Sequence, residues 1–149
     1  SLENSTFSQY YNLDGTTKLH GVELEVGRNF NRYWMAKLNS NWTSASNNVT
    51  SSGNSGHGVD GIAKNMTTAQ VIYDDLKPYG FIFNLWDQLA YDYSDGNNEY
   101  TYNTLNFVVT KKFGEGKRVF VGLDNILDKK ISAINLDGRM WRVGAEVKF

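Results

Sequence analysis

The chain has 149 residues, enough for one domain or a portion of a larger one, with 15 Lys+Arg against 16 Asp+Glu. That balance lacks the bias of a nucleic-acid binder, and the absence of cysteine removes disulfides, thiolate nucleophiles and cysteine-held metals. The aromatic content is 14% with a single Pro, which opposes disorder. No apolar run reaches the roughly 18 residues of a membrane-spanning helix. Barrel strands, by contrast, need only about 10 residues of alternating polarity.

Alternation of period two runs through the chain and predicts about eight strands and no helix of useful length. The first, about Ser5 to Leu13, is the least regular. In the second, Val22, Leu24 and Val26 oppose Glu23, Glu25 and Gly27. The third sets Trp34, Ala36, Leu38 and Trp42 against Met35, Lys37, Asn39 and Asn41. In the fourth, Ala69, Val71 and Tyr73 lie opposite Thr68, Gln70 and Ile72. The fifth, Tyr79 to Tyr93, has an apolar face interrupted by Asp87. In the sixth and seventh, Leu105, Phe107 and Val109, then Val119, Val121 and Leu123, hold one side. The last opposes Trp141, Val143, Ala145, Val147 and Phe149 to Arg142, Gly144, Glu146 and Lys148.

The connections sort by length. Arg28 to Asn31, Asp75 to Pro78 and Gly114 to Lys117 are predicted tight turns; Pro78 stands where no ladder N–H is required. The intervening segments Ala45 to Lys64, Ser94 to Glu99 and Lys129 to Gly138 are predicted longer, with Asp14 to Thr17 short on that side. Short turns at one end and long loops at the other are the habit of antiparallel, up-and-down transmembrane β-barrels. Aromatic residues near strand ends, among them Trp42, Tyr91, Tyr93, Trp141 and Phe149, suit interfacial belts. They equally suit a soluble all-β sandwich or barrel, since aromatics favour strands in general.

A family resemblance appears in the last third. Residues 119–130, Val-Phe-Val-Gly-Leu-Asp-Asn-Ile-Leu-Asp-Lys-Lys, resemble the penultimate strand of TonB-dependent outer-membrane receptors, which commonly reads Val-Asn-Asn-Leu-Phe-Asp-Lys-Lys-Tyr. The positions that carry it are Asn125, Leu127, Asp128 and Lys129, with Ile126 and Leu127 at the usual Leu-Phe pair and Ile131 where Tyr is frequent. Residues 138–149 resemble the closing strand with its terminal aromatic, Phe149. Residues 19–26, Leu-His-Gly-Val-Glu-Leu-Glu-Val, are similar to the family's Arg-Gly-Val-Glu strand, with His20 in place of the basic residue. The family's Pro-x-His segment is missing, and Gly56-His57-Gly58 is a faint echo.

The resemblance implies a barrel of about 22 strands with an N-terminal plug, importing a scarce solute such as an iron chelate, haem or cobalamin. On this reading residues 1–149 are the C-terminal barrel portion, without the plug and without the segment that engages the TonB energising complex. The implied location is the cell outer membrane, the partners are its lipid and a small solute, and no cofactor is called for. A complete eight-stranded barrel with a structural or adhesion role is the alternative.

Site expectations follow. Glu23, Glu25, Lys37, Arg142, Glu146 and Lys148 are expected to face the lumen, opposite signs on neighbouring strands lowering the cost of packing them. Glu23 and Glu25 as a catalytic carboxylate pair lack a sugar cleft around them, and no nucleophile elbow is present, so an enzyme is not expected. Trp42, His57 and Asp95 are the ligand-binding candidates: Trp42 for stacking on a planar solute or for the membrane belt, the other two from the expected outer loops. His20, His57 and Asp60 fall short of the four ligands of a structural zinc site. The four Asn-x-Ser/Thr sequons need no account beyond an Asn-, Ser- and Thr-rich composition.

Overall fold

The computed structural model describes residues 15–49, 61–75 and 79–148. They form seven strands: β1 (Gly15–Asn29), β2 (Trp34–Val49), β3 (Ala63–Asp74), β4 (Phe81–Ser94), β5 (Glu99–Lys112), β6 (Lys117–Asp124) and β7 (Met140–Val147). Every strand pairs antiparallel with its neighbour in sequence, giving one sheet of order β1-β2-β3-β4-β5-β6-β7. The all-β, up-and-down expectation therefore holds. Among the described residues β1 and β7 do not pair with each other, so the sheet is open. The expected first strand, Ser5 to Leu13, lies outside the described residues, as do Pro78, His57, Asp60 and Phe149.

Several strands run longer than their alternating cores. The expected turn at Asp14 to Thr17 is corrected, because Gly15, Thr16 and Thr17 pair in β1 with Val49, Asn48 and Asn47. Polar Thr, Ser and Asn residues blur the period-two signal there, while the ladder hydrogen bonds continue regardless of side chain. The same extension trims the expected Ala45 to Lys64 loop at both ends. The Ser94 to Glu99 loop contracts to Asp95–Asn98, as tight as the turns at the other end, so length alone does not sort the connections. Asn125 to Arg139 does remain long, and holds one 3₁₀ turn, Ser132–Ile134, where no helix was expected.

Three short connections share one end of the sheet. After β1, Asn31 Oδ1 accepts the N–H groups of Tyr33 (2.8 Å) and Trp34 (3.0 Å). Before β4, the buried Asp75 accepts Phe81 N–H (2.8 Å) on one oxygen and the Tyr73 hydroxyl (3.2 Å) on the other. After β5, Phe113 N–H closes on Lys117 O at 2.9 Å. Gly114 and Gly116 both adopt the positive φ expected of that turn.

Because residues opposite one another share a face, the registers assemble two contrasting surfaces. One row reads Trp34, Tyr73, Phe83, Val109, Val121, Val143; the next reads Ala36, Val71, Leu85, Phe107, Leu123, Trp141. Most of these apolar side chains stand open, Val143 at 78% and Trp141 at 67% exposure, whereas the buried apolar residues among those described are Ala63 and Ala90 alone. Among the described residues no second layer covers this face. The other face carries Glu23, Lys37, Gln70, Asn84, Gln88, Asn106, Arg142 and Glu146.

Aromatic side chains bracket the apolar face. Tyr73 packs against Trp34 at 4.9 Å and Phe83 at 5.7 Å, and Phe81 stacks on Phe83 at 5.8 Å, near the short turns. Trp42 and Tyr91 lie eight residues farther along their strands, roughly 26 Å away. Asp87, the interruption read from the sequence, accepts a hydrogen bond from Asn103 Nδ2 (3.0 Å). Nearby, Ser40, Asn65 and Thr67 bond one another at 2.7–2.9 Å. These polar groups satisfy each other within the face, which removes the largest cost of placing them there.

The β3–β4 connection depends on Gly80, whose φ is +69°. A Cβ at that position would stand 2.9 Å from the Lys112 carbonyl oxygen. Gly80→Ala should lower stability by about 1–2 kcal/mol, the usual cost of a side chain in the left-handed region. The shift of the urea midpoint of the folded protein measures it, and an unchanged midpoint would show that the turn does not need this conformation.

Candidate functional site

The polar face is the part of the structure with chemistry to offer. Its cross-strand ion pairs of arginine sit on β6 and β7. Arg118 lies opposite Glu146 and donates to it through Nε at 2.8 Å, with a second, shorter contact from Nη2. Arg142 forks onto Asp124, Nη2 to Oδ1 at 2.7 Å and Nε to Oδ2 at 2.5 Å. The Lys148 ammonium approaches Glu146 at 3.8 Å. Opposite signs therefore face each other across β6 and β7 at Arg118–Glu146 and Asp124–Arg142, while Lys148 meets Glu146 along its own segment. Exposed pairs of this sort contribute little to stability, about 0–1 kcal/mol each, so their consequence is a fixed pattern of charge.

On β1 and β2 the same face carries Glu23, Glu25 and Lys37. Asn39 Nδ2 donates to Glu23 Oε1 at 2.7 Å. Glu25 lies opposite Asn39, and Lys37 opposite Gly27 and Gln70. Gln70 in turn donates to Asn84 Oδ1 at 2.8 Å, extending an amide network towards β4. No three His, Asp or Glu side chains among the described residues converge as a metal-holding group.

Away from the short turns, Lys64 reaches two carboxylates, Asp92 at 3.1 Å and Glu99 at 2.9 Å. Asp92 sits at a bulge between Ala90 and Tyr93 with φ +49°, and its N–H bonds to Thr101 Oγ1 at 3.1 Å. The bulge re-aims the strand, as such irregularities do. A cleft of about 230 Å³ opens beside this group, lined by Thr43, Ser44, Lys64, Asp92, Ser94 and Glu99. Hydroxyls, an ammonium and carboxylates at its edge suit hydrogen bonding to a small polar solute. Sequence reading passed over this triad because Lys64 is 28 residues from Asp92. Only the β3–β4 register brings them together.

The ligand candidates are dispersed. Trp42 belongs to the apolar face, opposite Val22 and Asn65, and with His20 lines a shallow cleft of about 320 Å³ between β1 and β2. Asp95 is occupied by the β4–β5 turn. Its Oδ1 accepts the N–H groups of Asn97 (2.9 Å) and Asn98 (2.6 Å), and its Oδ2 accepts the Tyr100 hydroxyl (2.9 Å). These bonds, with Asn98 N–H first, hold its carboxyl down at about 2.

The motif residues form a clasp. Asn125 is buried at φ +50°. Its N–H donates to Asn106 Oδ1 (2.9 Å), its Nδ2 to the carbonyls of Lys129 (2.7 Å) and Asp137 (2.8 Å), and its Oδ1 accepts Lys129 N–H (3.0 Å). Asp128 accepts Arg139 N–H at 2.8 Å, which pulls its carboxyl below the ordinary range. Arg139 Nη2 closes the circuit on Ile126 O at 2.7 Å. Leu127 is exposed beside it. Asn106, missed in the sequence, is the buried anchor on β5; its only signal was a polar residue on the polar side of a strand.

No family model, curated protein or solved structure matches the chain.

Two measurements probe these loops. Asn125→Ala removes three side-chain hydrogen bonds and should cost about 2–3 kcal/mol; tryptic cleavage after Lys129, Lys130 and Arg139 should accelerate, and unchanged cleavage would deny the clasp. Asp95 has a depressed folded value, so its stabilisation of the β4–β5 turn is complete above its ordinary 3.8 and fades as pH falls towards about 2. Amide exchange at Asn97 and Asn98 should rise across that window, and Asp95→Asn should abolish the dependence.

Proposed function

We propose that these strands are part of the wall of an outer-membrane β-barrel receptor of the TonB-dependent kind, which takes up a scarce small solute. The observation that carries the reading is the contrast between the two faces. The apolar side is uncovered and bracketed by aromatic rows, while the polar side is laced with amides and ion pairs. Lipid is the medium that accepts such an apolar face without a second protein layer. Within hydrocarbon the ladder has to close, since unpaired strand edges leave N–H and C=O groups unsatisfied. The edges of β1 and β7, unpaired among the described residues, are then completed by further strands of the receptor.

The strand resemblance at residues 119–130 and 138–149 supports the specific family. The clasp on Asn125 and Asp128 gives those motif positions a physical task, holding the loop after β6 on one rim. The polar face becomes the lumen wall, and the cleft around Lys64 lies on the same rim as the loops that meet solute. Nothing in the charge pattern selects among iron chelate, haem and cobalamin. The reading assigns binding and passage, with no catalytic step and no resident cofactor. The plug and the energising complex are its partners in the full-length receptor.

Facing is directly testable. Nitroxide labels at Val143 and Arg142 of the full-length protein in bilayers should differ, Val143 relaxing with lipid-soluble oxygen and Arg142 with a water-soluble nickel chelate. Equal response of both sites to oxygen would sink the assignment.

A further inference from the structure

Cations and rings gather at the short-turn end. Lys111 Nζ lies 4.2 Å from the Phe81 ring centroid and 5.7 Å from that of Phe113, and donates to the Tyr79 carbonyl. The β1–β2 end repeats the pattern, with Arg28 over Phe30 at 5.7 Å and Arg32 over Tyr33 at 4.4 Å. Every cation–ring contact among the described residues belongs to this end of the sheet.

Lys111 and Lys117 project from the apolar face. Lys111 pairs with Phe81 and Val119, and Lys117 with Val147. The Phe113 N–H bond to Lys117 O places these two residues opposite each other, so the two lysines are diagonal neighbours, their Cα atoms roughly 7–8 Å apart. Among the described residues neither forms an ion pair, nor does Glu115 at the turn. Of the carboxylates on the face among the described residues, the buried Asp75 stands opposite Phe81 and is taken up by Phe81 N–H and the Tyr73 hydroxyl, and Asp87 is six residues up β4 from the Phe81–Lys111 row, roughly 20 Å away, and bound to Asn103. Two ammonium groups thus share an apolar, ring-lined margin, and the carboxylate in their row, Asp75, bonds Phe81 N–H and the Tyr73 hydroxyl rather than either of them.

We infer that Lys111 and Lys117 hold the phosphate of an anionic phospholipid at the short-turn margin of the apolar face. The inference rests on the membrane reading above and adds to it a lipid class and a site. Long lysine stems lie along apolar surface and deliver the charge to headgroup level, where the rings of Phe81 and Phe113 flank the acyl boundary. Two donors in one margin discriminate a phosphodiester of net charge −1 from a zwitterionic headgroup, whose own ammonium repels them.

The test uses the full-length protein in bilayers, with a bimane label on Val147→Cys beside Lys117. Quenching by phosphatidylglycerol bearing a nitroxide should reach its midpoint at roughly tenfold lower mole fraction than by labelled phosphatidylcholine, and the difference should shrink with salt. Lys111→Gln with Lys117→Gln should abolish the preference while leaving phosphatidylcholine quenching intact, which also shows that the variant remains inserted. Equal quenching by both lipids in the wild type, or a preference that survives the double substitution, overturns the inference and leaves the membrane reading standing. Absence of quenching by either lipid removes the membrane reading as well.

Discussion

An antiparallel ladder satisfies the backbone but leaves its faces to the side chains. In this sheet the division is marked: two rows from β2 to β7 place apolar residues opposite apolar residues, and most of the polar and charged side chains lie behind them. A fully buried Val, Leu or Phe contributes about 1.5–3 kcal/mol relative to an exposed one. Among the described residues no large apolar side chain is fully buried, and many keep more than a third of their surface open. The stability of the sheet depends on whatever meets that face.

Polar residues on the apolar side illustrate the constraint. Asp87 with Asn103, and Ser40 with Asn65 and Thr67, interrupt the apolar side. They bond one another, Asn103 to Asp87 and Ser40 to both Asn65 and Thr67, across neighbouring strands. The amides and ion pairs of the polar side extend across strands and reach the Lys64 group, where a bulge at Asp92 breaks the regular pleat.

The two ends of the sheet are built differently. At one end short turns rely on Asn31, Asp75 and glycines with positive φ, and cations lie over aromatic rings. At the other, side chains cap the connections: Asp95 closes the β4–β5 turn, and Asn125 with Asp128 folds the long β6–β7 loop onto itself. Side-chain capping gives these exposed segments defined shapes without an apolar core beneath them. A rim of defined shape is suited to recognition, since less conformational freedom has to be given up when a solute binds.

Strand type, face assignment and the tight turns were legible in the sequence, because a period of two leaves its mark in Val22 to Val26, Trp34 to Trp42 and Trp141 to Val147 without any tertiary information. Strand length was not: Gly15 to Thr17 and Ser46 to Val49 carry no alternating signal, yet the ladder runs on because it is made by backbone groups. The motif at Asn125 and Asp128 was visible as a pattern, but its work as a clasp depends on Asn106, Asp137 and Arg139, which only folding brings near. The Lys64, Asp92 and Glu99 group and the lysine margin at Lys111 and Lys117 likewise arise from register, a property of pairs of strands. Local alternation thus determined which way each side chain points, and the tertiary structure alone decided which side chains meet, since contacts across hydrogen-bonded strands join residues that the chain itself keeps apart.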